Sequence, residues 1–158
     1  ALAFASARLH AADALTPAPE DLVVLERWAG AVVAYGTVAG TDSLLLSALE
    51  SVLSSSMVVD CTVVVDVPGE TAAERLAVQT DTNRFETMGS DYLEQVRQSY
   101  LDWAGRRDCV IVPGTLPRDE AESWAAELVN SLLTNARRID PPRPHVPNVT
   151  YAGSERQP

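Results

Sequence analysis

Apolar positions along the chain follow two periods, and the alternation between them predicts the elements. Residues 1–15 are rich in Ala and Leu with no breaker before Pro17, which reads as a helix entered without a visible cap. In residues 91–104, Tyr92, Leu93, Val96, Tyr100 and Trp103 recur at helical spacing, and residues 120–133 form a second amphipathic pattern. Asp42 is placed to cap a helix over residues 43–53, and Glu70 puts an acid in the first turn of a helix over 70–78. Residues 29–35 suit a short helix, with a loop over 36–40 and a linker-like serine run at Ser54, Ser55 and Ser56. Between the helices lie three short apolar, β-branched runs, residues 22–25, 61–67 and 109–112, the pattern of strands buried on both faces. Strands alternating with helices predict an α/β domain with a parallel sheet. Residues 79–89 are polar. From Arg138 onwards Pro141, Pro142, Pro144 and Pro147 remove backbone donors while little apolar material remains, so a domain over 1–137 and a disordered tail over 138–158 are expected.

Length and charge narrow the picture. The 158 residues suit one domain with a real core, and the formal net charge of −10 repels nucleic acid and anionic membrane, so neither is an expected partner. All 12 basic residues are Arg, so these residues supply neither a Schiff-base lysine nor the lysine of a G-x-x-x-x-G-K-[ST] phosphate loop. Cys61 and Cys109 sit inside apolar runs and read as core thiols. Apolar stretches are too short or too broken to span a bilayer, and no basic leader precedes a hydrophobic segment, so a cytoplasmic location is expected.

Several pairs of residues could carry chemistry. Phe4 and Arg8 lie one helical turn apart, so a planar ligand could stack on the ring while the guanidinium donates to its edge; spacing alone favours a core Phe beside a surface Arg. Glu26 and Arg27 follow residues 22–25, at a strand's carboxyl end, where open α/β sheets bind ligands. An Arg there grips phosphate with a bidentate fork, and the acid beside it can position a metal ion; a solvated ion pair is the alternative. Arg84 and Arg97 flank the polar segment and its following helix as further phosphate-seeking cations. Asp66 reads as a helix cap in preference to a metal ligand. His10 and His145 have no partner at metal-ligand spacing.

In order and spacing these segments resemble the thymidylate kinase family of nucleoside monophosphate kinases over nearly residues 1–133. Leu2-Ala3-Phe4-Ala5-Ser6-Ala7-Arg8 is similar to the family's L-L-F-A-A-D-R, and Glu26-Arg27-Trp28 falls on its Asp-Arg-Tyr. The run from Cys61 through Asp66 to Glu70, then Glu74-Arg75-Leu76, resembles L-x-L-D-V-x-P-E…E-R-L. Asn83-Arg84-Phe85-Glu86, Tyr92, Val96-Arg97 and Tyr100 match D-R-[FYI]-E…F…V-R…Y.

The resemblance implies a three-layer P-loop kinase fold with a parallel sheet, and transfer of the γ-phosphoryl group of Mg-ATP to dTMP, giving dTDP. It implies that Phe4 stacks on the base, Arg8 bonds the base edge, Tyr35 packs beside the deoxyribose and Phe85 lines the substrate site. Arg27 would hold the acceptor phosphate, Glu26 would work near Mg2+ and the transferring group, and Arg84 and Arg97 would meet that group's charge. Homodimers are the family's habit. An inactive nucleotide-binding or interaction module, and a kinase for another pyrimidine deoxynucleotide, are the rival readings.

Three departures shape the expectations. Gly30, Ala31 and Val32 replace the small polar residues that touch the thymine edge, so dUMP and dTMP should serve alike. Ala77 and Gln79 stand where bacterial lids often carry arginine, leaving Arg75 and Arg84. The family's first strand, its phosphate-binding loop and its second strand have no counterpart here, and that first strand belongs between residues 22–25 and 61–67. Two open strand edges and an exposed apolar groove are therefore expected, as for a piece cut from a longer chain.

Overall fold

The computed structural model describes residues 1–15, 22–78, 89–134 and 150–151. In chain order the elements are α1 (Leu2–Asp13), α2 (Ala29–Val38), α3 (Ser43–Ser56), β1 (Thr62–Asp66), α4 (Gly69–Ala77), α5 (Gly89–Ala104), β2 (Cys109–Pro113), α6 (Arg118–Thr134) and β3 (Thr150–Tyr151). β1 and β2 pair in parallel from Thr62 opposite Cys109 to Asp66 opposite Pro113. β3 adds antiparallel to the other edge of β2, with Val110 opposite Tyr151, inside the stretch expected as a tail.

Helices pack on both faces of the sheet, covering β2 on both and β1 on one. On one, Val64 and Cys109 pack with Trp103 and Ala104 of α5 and Val33 of α2. On the other, Val110 and Val112 meet Trp124 and Leu128 of α6. The third cluster, Ala5, Ala29, Val32 and Leu53, joins α1, α2 and α3. At its centre is α2, buried at seven of its ten positions because Ala29-Gly30-Ala31-Val32-Val33-Ala34 is apolar all round. Its small residues let neighbours close in: a Cβ on Gly36 would stand 2.4 Å from a methyl of Leu46. That packing carries α2 through Gly36 to Val38, where a loop was expected.

Other boundaries differ for local reasons. Asp42 caps α3 as expected, accepting from the Leu44 and Leu45 N–H groups at 3.0 and 3.1 Å. The serine run is not a linker: it is the last turn of α3, with Ser55 and Ser56 hydroxyls donating to the Ser51 and Leu53 carbonyls at 2.8 Å. Residues 22–25 do not form the expected first strand. A strand exists only through a ladder partner, and the described sheet is β1-β2-β3, so this segment has none and leaves Leu22 and Val24 exposed. One edge of β1 is correspondingly open among the described residues, and Val63 and Val65 are exposed on one of its faces. Both cysteines are free thiols; Cys109 is buried, and burial raises its pKa to about 11.

Candidate functional site

The site assembles around Arg27. Residues 22–25 carry the chain to Glu26 and Arg27, and α2 begins at Ala29. Arg27 sits at φ 54°, in the left-handed region. There it meets α1, where Arg8 Nε donates to the Arg27 carbonyl and Arg8 Nη1 donates to the Phe4 carbonyl at 3.0 Å. The Arg8 guanidinium stands 5.7 Å from the centre of the Phe4 ring, and that of Arg27 stands 6.0 Å from the Tyr35 ring. Tyr35 in turn meets Tyr100 of α5 edge to face, with centroids 6.2 Å apart. Phe4, Arg8, Arg27, Tyr35 and Tyr100 thus converge from α1, the 26–27 corner, α2 and α5.

The electrostatics suit an anion with a planar group attached. Burial lowers the Arg8 pKa from its ordinary value; Tyr100 opposes that shift and the Arg27 guanidinium adds to it. Two like charges held this close are stabilised by an anion placed between or beside them. Tyr100 is pushed up to about 12, chiefly by burial and then by Tyr35, with Arg27 and Arg8 pulling the other way. Phe4 is 60% exposed, so its ring is a surface for stacking and the core reading that spacing favoured fails. Glu26 is exposed, with its carboxylate 3.7 Å from Arg27 Nε.

A second polar group lies at the carboxyl end of β1. Arg97 binds Asp66 with a fork, Nε to Oδ1 at 2.5 Å and Nη2 to Oδ2 at 3.0 Å, and donates through Nη1 to Glu94 at 2.7 Å. The second oxygen of Glu94 accepts the Gly69 N–H at 2.9 Å, and Gln98 donates to the first at 2.8 Å. These donors, Gln98 first, then Gly69 and Arg97, hold the Glu94 carboxyl at a pKa of about 2. The cap of α4 is therefore Glu94 from a neighbouring helix. Asp66 does not cap α4: its side chain is taken by Arg97, whose charged form it stabilises. Gly69 permits the approach, since a Cβ there would fall 2.6 Å from the Ser90 carbonyl oxygen. Between β1, α4 and α5 opens a cleft of about 130 Å³, lined by Asp66, Ala72, Leu93, Arg97 and Tyr100 among others.

Of the residues singled out from sequence, the structure brings Phe4, Arg8, Glu26, Arg27 and Tyr35 together. Arg97 belongs to the Asp66 and Glu94 group, where three of its five N–H donors are bonded, and it also lines the cleft. Arg84 and Phe85 lie outside the described residues, as does His145. Gly30 and Val32 are buried, Gly30 beneath the Trp103 ring and Val32 against Ala5 and Leu53. Two further residues had no site role in the sequence: Tyr100, noted there only for its helical spacing and its match to the family pattern, and Glu94. A tyrosine on the apolar face of an amphipathic helix was the available signal for the first; nothing local marks the second, whose partner Gly69 lies 25 residues away. No group of three His, Cys, Asp or Glu among the described residues could hold a metal.

Arg8 and Arg27 thus gather where α1 meets the start of α2, and Arg97 lies at the carboxyl end of β1. A family model described as Thymidylate kinase matches residues 1–124. The chain belongs to the thymidylate kinase family, and so has the P-loop nucleoside monophosphate kinase fold. It is 35% identical over 116 residues to a probable thymidylate kinase of Metallosphaera sedula, covering 73% of this chain and 57% of that protein. It is 36% identical over 136 residues to a thymidylate kinase of Cupriavidus metallidurans, covering 83% and 68%. It is also 36% identical over 103 residues to one of Cupriavidus pinatubonensis, covering 63% and 51%. The chain spans about half the length of several curated relatives it matches. No solved structure matches it.

Proposed function

We propose that this chain carries the acceptor side of a dTMP kinase: it binds dTMP, and the whole protein transfers the γ-phosphoryl group of ATP to it, giving dTDP and ADP. The observation that carries this reading is the convergence of an exposed aromatic face, Phe4, with two guanidinia, Arg8 and Arg27, and with Tyr35. In it, Phe4 stacks on the base, Arg8 reaches the base edge, Tyr35 forms the sugar wall and Arg27 takes the 5′-phosphate as a charge-assisted fork. Transfer of this kind is positioning and electrostatics with no covalent intermediate, so an arginine held beside the acceptor phosphate serves it directly.

A divalent ion in such a site takes most of its ligands from nucleotide phosphates and water, and one or two carboxylates suffice. Glu26, exposed beside Arg27, fits that requirement and would hold Mg2+ or one of its waters. The ion would supply charge neutralisation. Arg84 and Phe85 would act on the transferring group and the substrate, as the family pattern implies. Arg97 contributes through the Asp66 and Glu94 group that binds α4 to α5. A kinase domain over residues 1–137 with a tail over 138–158, a homodimer and a cytoplasmic location complete the reading. No helix among the described residues is long and apolar enough to cross a membrane.

The test is turnover by the whole protein that contains these residues, supplied with Mg-ATP and dTMP and followed by nucleotide chromatography. Formation of dTDP matched by ADP is expected, and ADP without dTDP would overturn the proposal.

A further inference from the structure

Among the described residues Arg27 alone, apart from glycines, has a positive φ, at 54°. That region is disfavoured for any side chain with a Cβ and persists where the surroundings over-determine it. The hold comes from α1. Arg8 Nε donates to the Arg27 carbonyl, and Arg8 Nη1 is anchored on the Phe4 carbonyl at 3.0 Å. One guanidinium thus ties the backbone of α1 to the peptide after Arg27, with the Phe4 ring beneath it. The Arg27 side chain then stands over Tyr35.

We infer that Arg8 is a positioning residue for Arg27: by bonding its carbonyl, Arg8 holds the left-handed corner that presents the Arg27 guanidinium, already oriented, to a phosphomonoester. This rests on the reading of Arg27 as the phosphate ligand and adds to Arg8 a role separate from the base edge. A contact with the base strengthens the binding of nucleoside and nucleotide equally. A hold on Arg27 strengthens only the ligand that carries the phosphate. Lysine separates geometry from charge, since it keeps the positive charge but lacks the planar fork that spans two carbonyls.

The experiment is calorimetric or NMR titration of the full chain with thymidine and with dTMP, taking the ratio of the two dissociation constants as the phosphate's contribution. In the unsubstituted chain dTMP should bind more tightly, and Arg27→Ala should collapse the ratio. Arg8→Ala and Arg8→Lys should both shrink the ratio by about tenfold, the scale of one charge-assisted hydrogen bond. A ratio unchanged within twofold in both variants would overturn the inference, and so would one that falls in Arg8→Ala but recovers in Arg8→Lys. A wild-type ratio near one would overturn the phosphate role of Arg27 itself, and is seen before any Arg8 variant is made.

Discussion

Gly69→Ala tests whether α4 is seated on α5 as tightly as the structure requires. The added Cβ would lie 2.6 Å from the Ser90 carbonyl oxygen, 2.7 Å from the Glu94 nitrogen and 2.8 Å from the Glu94 Cβ. Two of these atoms are backbone of α5, so no rotamer change relieves the clash, and α4 must move off by several tenths of an ångström. That motion stretches the 2.9 Å hydrogen bond from the Gly69 N–H to Glu94, the cap of α4. Overpacking of this kind costs about 1–3 kcal/mol, against which Ala regains up to about 1 kcal/mol over Gly in a helix. A net loss of about 1–2 kcal/mol corresponds to a Tm lowered by roughly 2–8 °C in a domain of this size. Thermal unfolding followed by circular dichroism, with urea midpoints as a second measure, reads it. Gly40→Ala is the internal comparison, because Gly40 has φ 71° with open space around it, so its cost of about 1 kcal/mol is backbone strain alone. A Gly69→Ala chain as stable as wild type, or more so, refutes the close seating.

Other expectations follow from the same contacts. Glu50 accepts from the Trp103 indole at 2.6 Å and is ion-paired with Arg107, so Glu50→Ala leaves both unmatched and should cost about 2 kcal/mol in urea unfolding; a neutral result would show that the α3–α5 tie is slack. Phe4→Ala should weaken dTMP binding by roughly five- to a hundredfold, the worth of one base stack, with at most a few degrees' change in Tm; lost stability with unchanged affinity would return Phe4 to the core. The Glu94 pKa is lowered in the fold from 4.5 to about 2, so its stabilising share is present above pH 4.5 and lost as pH falls towards 2. Urea midpoints across that window should fall less steeply in Glu94→Gln than in wild type, and parallel profiles would contradict the assignment.

Most helices were legible because their signals are local. Asp42 caps α3 because its carboxylate reaches N–H groups two and three residues on, and α5 announces itself through the spacing of Val96, Tyr100 and Trp103. What depends on a distant partner was not. Residues 22–25 look like β1 and β2 in composition, yet a ladder is a property of two segments. Asp66 occupied a plausible capping position, but its partner is Arg97, 31 residues on. Nothing in the order Gly30-Ala31-Val32 says which face of α2 is covered, and all three are buried. Phe4, Arg8, Arg27 and Tyr35, singled out through the family pattern, gather from as far as 31 positions apart in sequence because α1, α2 and the corner between them pack around Ala5, Ala29 and Leu53. The left-handed conformation of Arg27 left no trace in residue type, since nothing forecasts it for an arginine.

The central claim is that these residues form an acceptor site in which Arg27 takes the phosphate of a pyrimidine deoxynucleotide. Calorimetric titration of dTMP into the wild-type chain and into Arg27→Ala tests it most directly. Saturable binding to wild type is expected, with a loss of about tenfold or more in the variant, whose unfolding curve should be unchanged. Equal dTMP affinity in the two chains would contradict it.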